Sequence, residues 1–107
     1  MTVAIPTVVV GTSFRGPAAR TAISLMRPGD EVELVREPNN NPHDPLAVAC
    51  HYRGVPVGYI PRQANQPIAA ALNEGRDVTC AVREPPVVHG SRIMKEPKIT
   101  VSWEGRS

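Results

Sequence analysis

The sequence predicts a small, mainly β fold with one or two short helices, and three observations carry that expectation. Stretches that alternate apolar and polar residues, rich in Val, Ile and Thr, recur between clusters of Gly, Pro, Asn and Asp. Twelve prolines and eight glycines favour short elements and many turns, because Pro can neither donate to a ladder nor sit comfortably inside a helix. At 107 residues, 41% of them hydrophobic and 21% charged, the chain has the means for one modest core, so residues 1–107 are expected to form a single domain.

Six strands are expected, near residues 7–12, 31–36, 46–53, 55–60, 77–84 and 98–103. In the fifth, Val78, Cys80 and Val82 alternate with Thr79, Ala81 and Arg83; in the sixth, Ile99, Val101 and Trp103 alternate with Thr100 and Ser102. Each therefore has one core face. Leu46, Val48, Cys50 and Tyr52 share a face of the third, which puts both cysteines, Cys50 and Cys80, on the apolar side as buried structural thiols. Tyr52-Arg53-Gly54-Val55 reads as the tight turn joining the third strand to the fourth. The best helix runs from Gln66 to Glu74, with Asn65 as its cap, Pro67 in its first turn and Gly75 closing it. A second, Ala18 to Met26, is stopped by Arg27-Pro28-Gly29-Asp30. Six short strands with exposed edges are best accommodated by a partly closed barrel.

Several function classes find no support. There is no P-loop, no Gly-x-Ser-x-Gly and no HExxH, so no phosphate cradle, nucleophile elbow or helical zinc pair can be named, and no enzyme activity, cofactor or small-molecule substrate is expected. Cys50 and His51 point to opposite faces of one strand, and no CxxC exists, so no metal site is expected. No apolar run approaches the ~20 residues of a membrane helix, and Met1 to Gly11 lacks a basic stretch ahead of an apolar one. A cytoplasmic protein with reduced thiols is the resulting expectation. The net charge of +2 does not by itself indicate nucleic acid. Yet all of the twelve cations except Lys95 and Lys98 are Arg, whose planar fork suits phosphates and base edges.

Four segments then carry a resemblance. Val10-Gly11-Thr12-Ser13-Phe14-Arg15-Gly16 is the first, and the second runs from Gly29 through Val35-Arg36-Glu37-Pro38-Asn39. Asn41-Pro42-His43-Asp44-Pro45-Leu46-Ala47-Val48 and Val57-Gly58-Tyr59-Ile60-Pro61-Arg62 follow. Together, in this order and spacing, they resemble the HIRAN domain, here as a free-standing bacterial or phage member. The resemblance implies an OB-like barrel that captures the 3′ end of single-stranded DNA, in repair or replication-fork processing. Aromatics would lie against the terminal bases, a carboxylate on the 3′-hydroxyl and cations on the phosphates.

Residue by residue, the implied DNA-binding set is Phe14, Arg15, His43, Asp44, Tyr59 and Arg62, with Arg20 and Arg36 as outer contacts. Phe14 matches a pocket aromatic, and a core position is its alternative. His43 stands where the family often has Tyr; it still stacks and bonds phosphate, with a smaller face and a charge that varies near neutral pH. Asp44 sits between Pro42 and Pro45. A carboxylate there suits a terminal hydroxyl and repels a phosphate, although Asp in such a frame equally well holds a turn through backbone bonds. The N-terminal end of the helix, near Asn65 to Ile68, offers N–H groups to a phosphate. If the domain serves a helicase-like ATPase, that motor is a separate chain. The rival reading is a peptide-interaction module using the same barrel.

Overall fold

The computed structural model describes residues 1–12, 15–37 and 44–105. Its elements in chain order are β1 (Thr2–Val8), α1 (Pro17–Ser24), β2 (Glu33–Arg36), β3 (Val48–Tyr52), β4 (Val55–Tyr59), α2 (Arg62–Asn73), β5 (Thr79–Glu84), β6 (Val87–His89), β7 (Arg92–Lys95) and β8 (Lys98–Glu104). They form two three-stranded antiparallel sheets, ordered β1-β8-β5 and β2-β3-β4, and a separate β6-β7 hairpin. The mainly β class with two short helices is what the sequence predicted.

The six strands of the two larger sheets are not closed into a barrel by continuous ladders. Instead, two seams clasp the sheets. At one, Val10 and Tyr59 exchange backbone hydrogen bonds of 2.8 and 2.9 Å. At the other, Gly29 and Val32 donate to Val82 and Cys80, and Val82 donates back to Asp30, each at 2.8 Å. Between the sheets lies the core of Val9, Val32, Val48, Cys50, Tyr52, Val57, Cys80, Val82, Ile99, Val101 and Trp103, with Ile23 of α1 and Ile68 of α2 packed into it. Both thiols are buried and unpaired, and burial raises their pKa, that of Cys80 to about 12.

Four local expectations need correction. The first strand is Thr2–Val8 rather than 7–12: Val3 and Ile5 face inward while Thr2, Ala4 and Pro6 are exposed, and Pro6 is tolerated because β1 is an edge strand. Val10 then serves the other sheet. Leu46 does not join the buried face of β3, since the strand begins at Val48 and Leu46 stands exposed in the preceding turn. Helix α2 starts a turn earlier than expected, with Pro61 as its N-cap, so Asn65 is a helical residue and Pro67 lies inside the helix. The β6-β7 hairpin was not expected at all; its two-residue Gly90-Ser91 connection, with Gly90 at φ 64°, is a short and easily missed turn signal. The turn after Tyr52 is as expected, with Arg53 and Gly54 at φ 52° and 81°, the left-handed pair of a tight hairpin.

The second seam also contains a titrating link. The Tyr52 hydroxyl donates to Asp30 Oδ2 at 2.5 Å, and the same oxygen accepts the Arg27 N–H at 2.9 Å. These bonds hold the Asp30 carboxyl below its ordinary range and push the Tyr52 phenol up. A carboxyl lowered on folding stabilises the fold above its unfolded pKa, and that contribution disappears as pH falls through the folded value. Tyr52→Phe should therefore unfold at a less acidic pH than the parent chain in an acid titration followed by circular dichroism. An unchanged acid midpoint would show that the bond contributes nothing.

Candidate nucleic-acid interface

The end of the β2-β3-β4 sheet nearest α2 gathers most of the sequence-predicted site. Tyr59 closes β4, and its backbone is locked to Val10 at the first seam. That approach is possible only because residue 58 is glycine: a Cβ there would fall against the Val10 carbonyl oxygen and 2.7 Å from Val9 Cγ1. The Arg15 guanidinium lies over the Tyr59 ring, 4.6 Å from its centroid. Stacking of this kind fixes the cation's orientation while leaving its N–H edge available.

Three residues on, in the first turn of α2, stands the second group. Asp44 is the hub of the turn before β3, and its side chain is only 18% exposed. Its Oδ1 accepts the Leu46 N–H at 3.1 Å and its carbonyl accepts Ala47 N–H at 3.0 Å, which is the turn-holding role anticipated for an Asp in this frame. Its Oδ2 accepts from Asn65 Nδ2 at 3.1 Å and lies 3.5 Å from Arg62 Nε. The Arg62 side chain is 73% exposed, so a cation reaches from the carboxylate into solvent. An ionised carboxylate has about four acceptor positions, of which the described residues occupy three.

Arg36, expected as an outer contact, is engaged within the fold. Its Nη1 and Nη2 donate to the carbonyls of Ala47 and Pro45 at 2.8 and 2.9 Å, and its Nε donates to Asn73 Oδ1 at 3.1 Å. The guanidinium is thus occupied in pinning the Asp44 turn to the far end of α2. Asn65 is the residue that sequence reasoning misassigned: it is buried, and it orients Asp44 instead of capping the helix. Arg62 and Asn65 are three apart on one helix face, a spacing that becomes legible once the helix is started at Arg62. The open first turn is accordingly 62–65 rather than Asn65 to Ile68, and it contains no acidic residue. Arg20 stands apart from this cluster, on α1. Phe14 and His43, the predicted stacking residues, lie outside the described residues, each immediately before a member of the site in sequence. Among the described residues, no three His, Cys, Asp or Glu are grouped to hold a metal ion, and no helix is long and apolar enough to cross a membrane.

No curated protein matches the chain. A crystal structure of a protein from Lactobacillus plantarum is similar with a TM-score of 0.76 and 24% identity, over 96% of this chain and 95% of that one. The crystal structure of the HIRAN domain of human HLTF is similar with a TM-score of 0.69 and 18% identity, over 95% of this chain and 78% of that one. At these identities the likeness is one of fold. The sequence model of the HIRAN domain matches residues 3–101, nearly the whole length, and the chain therefore belongs to the HIRAN domain family.

Proposed function

We propose that this chain is a non-enzymatic module that grips single-stranded DNA at a free 3′-hydroxyl end, in the service of repair or replication-fork processing. The family is associated with DNA binding, which supplies the class of ligand. The observation that carries the finer reading is the state of Asp44: a largely enclosed carboxylate, oriented by Asn65, flanked by the exposed Arg62, with one acceptor position unfilled by the described residues. A terminal hydroxyl donates to that position. A terminal phosphate meets a negative charge there and is repelled. Arg62 and Arg15 supply charge-assisted bonds to the preceding phosphates, and Phe14 and His43 supply faces for unstacked bases. A helicase-like ATPase is the partner that this reading implies for the described domain.

Fluorescence anisotropy with three matched short oligonucleotides tests this: one with a free 3′-hydroxyl, one 3′-phosphorylated and one circular, each at two salt concentrations. The free end should bind best, and binding should weaken steeply with salt as counterions are released. Phe14→Ala should weaken all single-strand binding by about 1–3 kcal/mol, the contribution of one base stacked on an aromatic. Equal affinity for all three oligonucleotides would overturn end recognition. If none binds, the DNA reading falls in favour of a peptide partner.

A further inference from the structure

Where α1 meets the β6-β7 hairpin, the surface is hollowed into two adjoining depressions of about 240 and 220 Å³ that share Arg20 and Ser91. Arg92 and Ile93 border the first, and Thr21, Ser24 and Val88 the second. The charge of this lining is one-sided: among the described residues, no carboxylate borders either depression. Nor do the side chains of Arg20 and Arg92 make a hydrogen bond, ion pair or ring contact with any described residue. Of the other described cations, Arg62, Arg76 and Lys98 face Asp44, Glu74 and Glu84, Arg36 is held by carbonyls, and Arg15 and Arg53 lie over tyrosine rings. Arg83 and Lys95 also have no such side-chain contact among the described residues, but neither borders these depressions, where two guanidiniums meet with no carboxylate beside them.

We infer that this groove is a track for the sugar–phosphate backbone of single-stranded DNA, engaging nucleotides 5′ of the end held at Asp44. The inference rests on the end-binding function proposed above. Guanidinium forks receive phosphate oxygens in pairs, and hydroxyls such as those of Ser91 and Thr21 commonly bond the same backbone. Arg20 follows Arg15 after at most about 18 Å of chain, so a strand held beside Tyr59 needs no detour to reach the groove. That distance falls within the length of strand, roughly 4–16 nucleotides, that barrels of this type occupy. The half-buried Ile93 and Val88 give the groove an apolar wall for sugars and bases.

The test compares a trinucleotide with a twelve-nucleotide strand, both ending in a free 3′-hydroxyl, on the parent chain, the Arg20→Gln/Arg92→Gln double variant, and Arg53→Gln. The last removes a charge beside a different groove, the one bordered by Glu31, Glu33 and His51. The double variant should bind the longer strand roughly tenfold more weakly, with the exponent of its salt dependence reduced by about 1.4, while trinucleotide binding stays within about twofold. Arg53→Gln should behave as the parent. If the double variant binds the longer strand with the parent's affinity and salt exponent, the track is wrong and the end site stands. Equal weakening of the trinucleotide would also overturn it, by placing Arg20 and Arg92 at the end site itself. Should the parent bind neither strand, the end site and the track fall together.

Discussion

Asp44→Asn should abolish the discrimination between a 3′-hydroxyl and a 3′-phosphate, bringing the two affinities to within about twofold, while leaving the fold almost as stable as before. The amide oxygen still accepts from Leu46 N–H, and a turned-over Asn65 amide accepts from the new NH2, so the turn survives, but the negative charge expected to repel a phosphate is gone. Asp44→Ala is the harsher companion. It strands the buried Asn65 amide without its acceptor, which costs about 1–3 kcal/mol of stability in addition to the lost selectivity. Measuring both variants by thermal melting and by anisotropy separates the two roles of this one carboxylate. If Asp44→Asn retains the parent's preference for the hydroxyl, Asp44 serves the turn alone.

Gly58→Ala should destabilise the chain by about 1–3 kcal/mol, a fall in melting temperature of roughly 5–20 °C. The added methyl has no free direction, since it meets the Val10 carbonyl on one side and the Val9 side chain on the other. Val9 is fully buried, and its N–H is bonded to Pro97, so the neighbour cannot simply move aside. Relief has to come from opening the Val10–Tyr59 seam, which carries Tyr59 away from the Arg15 guanidinium. Loss of DNA affinity should therefore accompany the loss of stability. A melting temperature within 2 °C or so of the parent would mean that the strands separate there at little cost.

How far this molecule could be read from its residues depended on the range of the interactions involved. Strands β5 and β8 were legible because one face of each is core, so the alternation of Cys80 and Val82, and of Ile99, Val101 and Trp103, follows from burial alone. The turn at Arg53-Gly54 was legible because few residues adopt its backbone. The start of α2 was misplaced because Pro67 resembles a first-turn proline, whereas the effective start signal is Pro61. Strand β1 was hidden by Pro6, whose tolerance depends on the strand being at an edge, a fact of topology. The site divides in the same way. Local wording marked Asp44 and Arg62, but the bond from Asn65 to Asp44 joins elements 21 residues apart. The difference between an Arg36 that meets phosphate and one that pins a turn lies in carbonyls that only the folded loop brings together.

The order β1-β8-β5 has a consequence for how the chain acquires its structure. The central strand of that sheet is the last to be synthesised, and it pairs Thr2 with Glu104, almost the full length of the chain. The β2-β3-β4 sheet is contiguous between residues 33 and 59 and can assemble from local hairpins, whereas β1 and β5 have no partner in their own sheet until β8 emerges. Pairings of such long sequence separation form slowly, after the loops they close have lost their freedom. A nascent chain stalled before Lys98 thus leaves two strands with open edges and a core that lacks Ile99, Val101 and Trp103, in a form prone to association with other chains. Completion of the last strand is the event that converts a collapsed precursor into the clasped, ligand-ready shape.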